Sequence, residues 1–568
     1  MPQSKLKSWI RPLIFYFTTA LTVSLNACKQ DDTKEPVEIV PKWYSNSIIY
    51  NLDVDSYQDS DADGTGDFNG LISRLPYLAS LGVDVIWLSP FQPSPDMDDG
   101  YDVSDYYSID KRFGSMADFE RFMAAAKSHK IKIVMDMVLN HTSIEHPWFK
   151  ASRSDSTGKF RSRYSWSSKK PKDFDKGMAF EGVQTETWTY DEIAKKYYFH
   201  RFYNFQPDLN YQNKEVQREA VKILQFWSAK GIKGFRLDAV PFIIDVPESG
   251  AENPQHMFGV LDSLVNAVKS IDPDALLLGE ANVEPTENED YFGAKGQRLS
   301  MMFNFYANQY LFYALADENP AHFAKALMDT KEKPADSQWA FFLRNHDEID
   351  LGRLNKMQRN KVYSKFGPEN NMQLYNRGIR RRLAPMLSNP AKLKMAYSLL
   401  YSLPGTPVIR SGEEIGMGDD LTLPERLSVR TPMQWNTSPN AGFSTSKHTF
   451  RPVISMGNYS YKTINVETEE GEKSSLLNHI KKLISIRKKC PEIGTANWQI
   501  LDCRNNAILA ISYQNGLIAI HNFTAKKQQF ALNLQKQAIN LFGPTNATLN
   551  TEHLNLEPYG ALWLKLKE

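Results

Sequence analysis

The stretch Gly231-Ile-Lys-Gly-Phe-Arg-Leu-Asp-Ala-Val240 decides the fold class of this chain. Its apolar residues alternate with Arg236 and Asp238, so a short strand would hold both charged side chains on one face. Burying a cation beside a carboxylate is costly unless the charges pair or take part in chemistry. Arg236 would favour the charged form of Asp238, and an ionised, positioned carboxylate suits nucleophilic attack on carbon. A purely structural ion pair is the alternative, and the stretch alone leaves both open.

Outward from this stretch, short apolar runs alternate with amphipathic segments along most of the chain. Eight such runs occupy residues 48–52, 83–88, 131–138, 234–238, 276–279, 301–305, 339–343 and 406–409. This pattern predicts an α/β fold, a (β/α)8 TIM barrel of eight parallel strands. Charged residues follow several of the runs, at the strand ends where such barrels carry their chemistry.

Two regions depart from the barrel pattern. Residues 142–212 are rich in Ser, Lys, Tyr and Trp without clear periodicity, which predicts a domain inserted after the third strand. Residues 497–568 contain short alternating runs broken by Asn-Gly and Gly-Pro turns, which predicts a C-terminal antiparallel β domain. The barrel itself would then comprise residues 43–141 and 213–496.

The composition limits the class of partner. The 568 residues include 67 Lys and Arg against 66 Asp and Glu, which leaves a net charge of +1. Because no strong field results, no nucleic-acid partner is indicated. Of the three cysteines, Cys490 and Cys503 lie near the C-terminus, where a disulfide and two buried thiols are equally compatible with the sequence.

The N-terminus has the pattern of a targeting segment. Basic residues precede an apolar run that is too short for a comfortable membrane span. The run ends in Leu25-Asn26-Ala27-Cys28, which resembles the bacterial lipoprotein box, in which the cysteine is lipidated. Residues 1–28 are therefore predicted to be a lipoprotein-type signal peptide and residues 29–42 a linker. We expect an exported protein, anchored by lipid on Cys28 at a periplasmic or cell-surface membrane face; an ordinary signal peptide with an incidental cysteine is the alternative.

Three carboxyl groups follow predicted barrel strands. Asp238 and Glu280 end successive strands, so the separation of about 5 to 5.5 Å that retaining glycoside hydrolysis requires is attainable. The run Leu276-Leu-Leu-Gly279 gives Glu280 an apolar setting that would raise its pKa toward neutrality. Asp347, after Arg344-Asn-His346, is a third carboxyl that would hydrogen-bond a sugar as it flattens toward an oxocarbenium ion. Their placement on one rim favours an active site over three solvated acids.

These residues belong to ordered motifs that resemble the α-amylase family of retaining glycoside hydrolases and transglycosylases, glycoside hydrolase family 13. The motifs are Asp136-Met-Val-Leu-Asn140-His141, Gln206-Pro-Asp-Leu-Asn210, Gly234-Phe-Arg-Leu-Asp238, Gly279-Glu280-Ala-Asn282 and Leu343-Arg-Asn-His-Asp347. The resemblance covers residues 43–567. It implies that Asp238 is the nucleophile, Glu280 the general acid/base and Asp347 the transition-state stabiliser. It also implies sugar contacts from three further residues, namely His141, Arg236 and His346.

A further motif resembles the wall of the family's substrate pocket. In Gly100-Tyr101-Asp102, the resemblance implies that Tyr101 stacks on the non-reducing sugar and that Asp102 binds its hydroxyls. Arg430, within Val429-Arg-Thr-Pro-Met-Gln-Trp435, would clamp the carboxylate of Asp102. A clamp of this kind closes one end of the cleft and favours an exo-acting pocket for small glucosides.

Trehalose synthase-type members, which isomerise maltose to trehalose, show a closer resemblance. The matching stretches include Tyr198-Phe-His-Arg-Phe202, Gly378-Ile-Arg-Arg-Arg-Leu-Ala-Pro385 and Leu403-Pro-Gly-Thr-Pro-Val408. Two features depart from that group: the export pattern, and the run Leu423-Pro-Glu-Arg-Leu-Ser428 in place of a Gly-Asp-Arg-Asp type sequence. We therefore predict an α-glucoside hydrolase or transglucosidase acting on maltose-type substrates, with a trehalose synthase as the alternative. An inactive family member serving as a binding subunit would have lost catalytic acids, and all three are present.

Calcium is the predicted cofactor. The loop with Asp59, Asp61, Asp63, Thr65 and Asp67 has carboxylates at alternate positions, which is oxygen-ligand spacing for Ca²⁺. It resembles the calcium loop after the first barrel strand in this family, and a plain acidic turn is the alternative. The trehalose synthase pattern implies a second site formed by Asn140, Asp208, the carbonyls of Phe242 and Ile243, and Asp245.

Overall fold

Eight parallel strands close into a barrel. The computed structural model describes residues 41–245, 256–532, 534, 536–544 and 554–567. In chain order the strands are β1 (Ile49–Leu52), β2 (Val85–Leu88), β3 (Lys132–Met137), β4 (Gly234–Leu237), β5 (Leu276–Gly279), β6 (Met301–Phe303), β7 (Gln338–Phe342) and β8 (Thr406–Arg410). Each strand pairs with the next in parallel, and β1 closes the ring on β8. The predicted TIM barrel is confirmed, with all eight strands where the apolar runs stand.

The barrel interior explains why these runs are almost continuously apolar. Strands buried on both faces need apolar side chains inward and outward. One cluster of buried side chains fills the interior, among them Trp87, Leu278 and Phe303. The opposite faces of the strands join a second, larger cluster beneath the surrounding helices. The register places Arg236 of β4 directly beside Asp136 of β3, at the C-terminal end of the sheet.

Amphipathic helices cover the outside of the barrel: Phe68–Leu81, Met116–Ser128, Lys214–Ala229, Phe258–Lys269, Phe305–Asp317, Ala321–Asp329, Lys356–Phe366, Pro390–Ser402 and Leu476–Lys488. Their starts follow ordinary capping chemistry. Asp67 accepts a hydrogen bond from the backbone N–H of Gly70 at 2.8 Å, and Ser115 forms a capping box with Asp118. The first helix ends at Gly82, whose φ of 94° is in the left-handed region that favours glycine.

The segment between β3 and the helix Lys214–Ala229 forms small elements of its own. It contains the helix Pro147–Ser154 and an antiparallel sheet of the strands Trp166–Ser167, Trp188–Asp191 and Lys196–Phe199, with the last strand in the centre. An isolated antiparallel bridge joins His141 to Asp208, so both ends of the segment meet at the barrel rim.

An antiparallel sheet follows the barrel, as predicted. Its strands are β9 (Trp498–Leu501), β10 (Ile508–Tyr513), β11 (Leu517–Asn522), β13 (Ala538–Phe542) and β15 (Ala561–Leu566), in the spatial order β9-β10-β11-β15-β13, while β12 (Gln528–Phe530) pairs with β14 (Leu554–Leu556). The sequence did not predict β13, in which none of the residues is fully buried, or β14, which has only three residues. The sheet packs on the barrel where Trp563 donates to the hydroxyl of Ser398 at 3.0 Å.

The described residues include the two C-terminal cysteines but not the predicted signal peptide. Cys490 and Cys503 are both buried and unpaired, which leaves the thiol alternative and excludes the disulfide. Cys28 and the predicted signal peptide lie outside the described residues. In the part of the chain that the structure describes, none of the helices combines the length and apolar character needed to cross a bilayer.

Candidate active site

A cavity of about 380 Å³ lies at the C-terminal ends of the barrel strands. Asp238 follows β4, Glu280 follows β5 and Asp347 follows β7, and all three carboxyl groups line this cavity. The predicted substrate contacts Tyr101 and His141 line it as well. The barrel topology therefore brings together side chains that are more than a hundred residues apart in sequence, at the edge where sites in this fold form.

Arg236 is the centre of the charged network below the cavity. Its Nη1 lies 2.7 Å from Oδ1 of Asp238 and 2.8 Å from Oδ1 of Asp136, and its Nη2 lies 2.7 Å from Oε2 of Glu280. The guanidinium is almost completely buried, with 1% of its side chain exposed. Because one planar group holds Asp238 and Glu280 through two of its nitrogens, both carboxyl groups are fixed close together. Arg236 lies beneath the residues that line the cavity, where it orients the acids; its predicted contact with a sugar stays a prediction.

The backbone after β4 also orients Glu280. Ala239 has φ of 50° and ψ of 40°, a left-handed conformation that is unusual for alanine. This turn directs the N–H of Ala239 to Oε2 of Glu280 at 3.0 Å. Backbone strain of this kind persists only where the surrounding structure imposes it, which is common at active sites.

Burial raises the pKa of both neighbouring acids. Burial raises the pKa of Asp238 to about 6. The charge of Arg236 acts to lower this pKa, and the charges of Asp136 and Asp347 act to raise it. Burial raises the pKa of Glu280 to about 7, again against Arg236, and the charges of Asp238 and Asp347 add to the rise. The raised pKa predicted for Glu280 is thus reproduced. Arg236 favours the ionised form of Asp238 less than the sequence predicted, because its guanidinium is shared among three carboxyls.

Asp347 lies in a positively charged environment. Its Oδ1 accepts from Arg426 at 3.0 Å and from Arg430 at 3.1 Å, and its Oδ2 lies 3.2 Å from Nε2 of His346. Burial acts to raise the pKa of Asp347, but the positive charges of Arg426 and Arg430 lower it well below its ordinary value. Asp347 is therefore a permanently ionised carboxylate beside two acids that titrate near neutral pH.

Tyr101 forms the wall beside these acids. Its hydroxyl donates to Oδ2 of Asp136 at 3.0 Å and lies 2.6 Å from Nε2 of His346. The rings of Tyr101 and His346 stack at 11°, with 5.5 Å between their centroids. His346 itself does not line the cavity, and burial lowers its pKa so that the ring is neutral. The ring of His346 instead packs against Tyr101. His141, whose Nε2 lies 3.0 Å from the carbonyl of Tyr101, does line the cavity.

One end of the cavity is closed by a pair that the sequence analysis missed. Arg426 forms an ion pair with Asp98, and Gln206 donates to the other oxygen of Asp98 at 2.9 Å; all three side chains line the cavity. Asp98 precedes Tyr101 by three residues. Arg426 lies in the run 423–428, which stood out only as a departure from the family pattern.

The predicted clamp between Arg430 and Asp102 is not formed. Asp102 is fully buried and accepts from Ser94 Oγ at 2.7 Å and from the N–H of Asp98 at 3.1 Å, so it shapes the loop that presents Asp98. Arg430 pairs instead with Asp99 at 2.8 Å. Neither Asp102 nor Arg430 lines the cavity. The chain turns at Gly100, whose φ is 93°. Asp98, and not Asp102, therefore lines the cavity.

An aromatic roof, formed by Phe180 and Tyr203 of the inserted segment and by Tyr375, lies beside the cavity. Phe180 of the inserted segment stacks on Tyr375 at 27°, with 4.5 Å between centroids. The hydroxyls of Tyr203 and Tyr375 both donate to Oε2 of Glu425. Arg377 donates to the carbonyl of Ala179 at 2.7 Å. Phe180, Ala179 and Arg377 line the cavity, so these contacts form one of its walls.

Three of the five predicted calcium-loop residues form a compact cluster. Carboxylate oxygens of Asp59, Asp61 and Asp67 lie within 4.8 Å of one another. Asp63 lies outside this cluster, and its carboxylate accepts from the N–H of Thr65 at 2.7 Å. Hard oxygen ligands at this spacing fit a calcium ion.

The second predicted calcium set is only partly assembled. Asn140 hydrogen-bonds the side chain of Asp208, which also accepts from the N–H of Arg201 at 2.9 Å. Oδ1 of Asp245 is buried, with no hydrogen-bond partner among the described residues, and burial raises the pKa of this carboxyl. Phe242, whose carbonyl was predicted as a ligand together with that of Ile243, stacks with Arg201 at 4.8 Å from the ring centroid. The orphaned oxygen of Asp245 could accept a cation, since a buried unpaired oxygen is otherwise costly.

The arrangement has the parts of a retaining glycosidase: two carboxyl groups fixed close together by one guanidinium, burial that raises the pKa of both, and a pocket beside them. A family model described as alpha amylase, catalytic domain, matches residues 51–495. The chain therefore belongs to the α-amylase family, and it is an enzyme of this family. The family resemblance noted in the sequence is confirmed.

Individual relatives refine this result. Trehalose synthase/amylase TreS of Mycobacterium tuberculosis is 36% identical over 547 residues, which cover 93% of this chain and 90% of that protein. Oligo-1,6-glucosidase of Bacillus cereus is 31% identical over 600 residues, covering 93% of this chain and 100% of that protein. Among solved structures, trehalose-6-phosphate hydrolase (TreA) of Bacillus licheniformis superposes with a TM-score of 0.75 at 27% identity, covering 93% of this chain and 100% of that chain.

Proposed function

We propose that the protein is a retaining α-glucoside hydrolase or transglucosidase that acts by double displacement on maltose and short malto-oligosaccharides. The observation that carries this proposal is the sharing of Arg236 by Asp238 and Glu280, which fixes two carboxyl groups close together in one cavity. A retaining mechanism needs this combination. The presence of all three acids in the cavity argues against an inactive binding subunit.

In the first step, the carboxylate of Asp238 attacks the anomeric carbon of the bound glucosyl group. Protonated Glu280 donates its proton to the glycosidic oxygen as the bond breaks, and the released sugar leaves as an alcohol. Asp347 stays ionised because of Arg426 and Arg430, so it stabilises the positive charge that develops on the ring. The products of this step are a glucosyl ester of Asp238 and an ionised Glu280.

In the second step, Glu280 accepts a proton from the incoming acceptor, whose oxygen attacks the anomeric carbon and releases Asp238. The acceptor is water in hydrolysis and a sugar hydroxyl in transfer. Both outcomes use the same catalytic residues and differ only in which acceptor reaches the ester first. At the closed end, Asp98 and Arg426 would bind the hydroxyls of the non-reducing sugar.

The second candidate is the isomerisation of maltose to trehalose by transfer back to the released glucose. The aromatic roof of Phe180 and Tyr375 favours it, because a covered cavity retains glucose and excludes water. The trehalose synthase relatives that align over nearly the whole chain support it as well.

Incubation with maltose and analysis of the products tests both candidates. Glucose as the sole product supports the hydrolase and excludes the isomerase, whereas trehalose as the main product does the reverse. The variant Asp238→Ala should still bind maltose but lose about 1,000-fold or more of turnover, because no other group can form the covalent ester. Near-normal turnover by Asp238→Ala would refute the assignment of the nucleophile.

We further propose calcium as a structural cofactor. Asp59, Asp61 and Asp67 would hold one ion beside the start of the helix Phe68–Leu81. Asn140, Asp208 and Asp245, with carbonyls of residues 242 and 243, would hold a second ion between the inserted segment and the barrel. Bound calcium would stabilise these loops and takes no part in the bond changes.

We also retain the proposal that the protein is exported and anchored to a membrane through lipid on Cys28. Its support is the sequence of residues 1–28 alone. Metabolic labelling with a radioactive fatty acid tests it: label on the wild type and none on Cys28→Ser is expected, and an unlabelled wild type would overturn it.

A further inference from the structure

A second groove lies beside the catalytic cavity, on the outer surface of the barrel. It has a volume of about 320 Å³ and is formed by the helices Phe305–Asp317 and Ala321–Asp329 and by residues around Arg353. This volume is within the range of small-molecule sites in proteins. We call it the tyrosine groove, after the side chains of Tyr306 and Tyr310 that line it.

Three aromatic side chains form the surface of the tyrosine groove. Tyr306 and Tyr310 are one helical turn apart on the same helix face, with 5.1 Å between ring centroids. The ring of His322 is nearly parallel to that of Tyr310, at 14°. Both tyrosines are only partly buried although they contact the core, and His322 is exposed. Such rings offer a large apolar face at little cost in side-chain entropy, which suits stacking against the C–H face of a sugar ring.

The polar groups of the groove suit a neutral, hydroxyl-rich ligand. Asp329 accepts from the hydroxyl of Tyr306 at 3.4 Å and pairs with Lys325 at 2.6 Å. The pair provides acceptors and donors next to the rings, and its charges cancel. Arg353, the other cation that lines the groove, forms its own ion pair with Glu284. A site for an ion would instead present an excess of one charge. The combination of stacking rings and paired polar groups therefore favours a carbohydrate.

The groove shares a wall with the catalytic cavity. Arg353 lines the groove and donates to Oδ1 of Asn282 at 2.9 Å and to its carbonyl at 2.6 Å. Asn282 lines the cavity and donates to Asp350, also in the cavity lining, at 2.6 Å. One layer of side chains therefore separates the two sites, and a glucan near the cavity entrance is also near the groove.

We propose that the tyrosine groove binds α-linked glucosyl chains at a site distinct from the catalytic cavity. The choice of α-glucan among carbohydrates rests on the proposed function, because the neighbouring cavity is assigned to α-glucosides. The groove would hold a malto-oligosaccharide or starch chain close to the catalytic cavity without contributing to the bond changes.

Native gel electrophoresis in gels with and without soluble starch tests the proposal, since retardation reports binding and does not need turnover. We expect the wild type to be retarded by starch. Tyr310→Ala should raise the apparent dissociation constant about fivefold or more, because it removes one stacking face. Asp329→Asn, which keeps the groove's shape but breaks the charge balance with Lys325, should weaken binding even if Tyr310→Ala proves unstable.

Two control variants localise the binding. Tyr461→Ala removes a comparably half-buried tyrosine elsewhere and should leave retardation unchanged. Asp98→Asn alters the catalytic cavity and should also retain it. Absence of retardation in the wild type, its persistence in both groove variants, or its loss in Asp98→Asn would each overturn the proposal. Maltose turnover is measured in parallel: an active enzyme without retardation refutes only the groove, and a retarded protein without turnover refutes only the proposed function.

Discussion

Arg236 holds Glu280 through an ion pair of 2.7 Å, and yet the pKa of Glu280 is raised to about 7. The ion pair alone would lower it, but burial and the charges of Asp238 and Asp347 outweigh the shared guanidinium. The network thus combines two requirements of a general acid, a fixed position and a retained proton.

The first prediction concerns pH. Cleavage needs Asp238 ionised and Glu280 protonated, so kcat/KM for maltose should rise as pH increases through about 6 and fall as it increases through about 7. With α-glucosyl fluoride, whose leaving group needs no proton, the alkaline limb should disappear and the acidic limb should remain. Initial rates after preincubation at each pH, which controls for inactivation, provide the measurement. An alkaline limb identical for both substrates would remove Glu280 as the acid.

The second prediction separates two nearby aspartates. Asp98→Asn should lower kcat/KM for maltose by about 10- to 100-fold, because a charge-assisted hydrogen bond at the closed end of the cavity is weakened. Asp102→Asn should lower the Tm and leave KM within about threefold of the wild type, since Asp102 only bonds its own loop. Steady-state kinetics and thermal melts of both variants decide between them. If Asp102→Asn raised KM for maltose more than Asp98→Asn does, Asp102 would bind the substrate, as the sequence implied.

The same two residues show how far the sequence could define the site. Apolar runs located all eight barrel strands, and the strand ends located Asp238, Glu280 and Asp347, because both signals are local. Which carboxylate of the loop faces inward depends on the turn at Gly100 and on a partner more than 300 residues away, Arg426. Local periodicity contains no information of that kind.

The aromatic roof could not be predicted from the sequence, because its residues are also far apart along the chain. Phe180, Tyr203 and Tyr375 come from two distant segments, and each alone has the appearance of an ordinary core or loop aromatic. Only the folded chain shows that they cover the catalytic cavity. Long irregular stretches such as residues 142–212 predict a function without predicting its geometry.

The third prediction concerns calcium. Addition of calcium after chelation should raise the Tm of the wild type by a few degrees, because an ion bound only by the folded state stabilises it. Asp61→Ala removes an exposed carboxylate of the cluster and should diminish this response. Asp155→Ala, an exposed acid far along the chain in the inserted segment, is the matched control and should respond like the wild type. An unchanged Tm in the wild type with calcium would show that the acidic loop is a plain turn.

The fourth prediction concerns the partition of the glucosyl ester between water and sugar. Phe180→Ala opens the roof by removing the ring that stacks on Tyr375, so water should reach the ester more often. We expect the ratio of hydrolysis to transfer products from maltose to rise about tenfold, while the rate of ester formation changes less, because the ring of Phe180 takes no part in the bond changes. Phe160→Ala, in the same inserted segment but outside the cavity lining, should leave the ratio unchanged. Products are quantified by chromatography at early times, before secondary reactions of trehalose or glucose. An unchanged ratio in Phe180→Ala, with a correctly folded variant shown by its melting curve, would mean that the roof does not control acceptor choice and that the partition is set deeper in the cavity, beside Glu280.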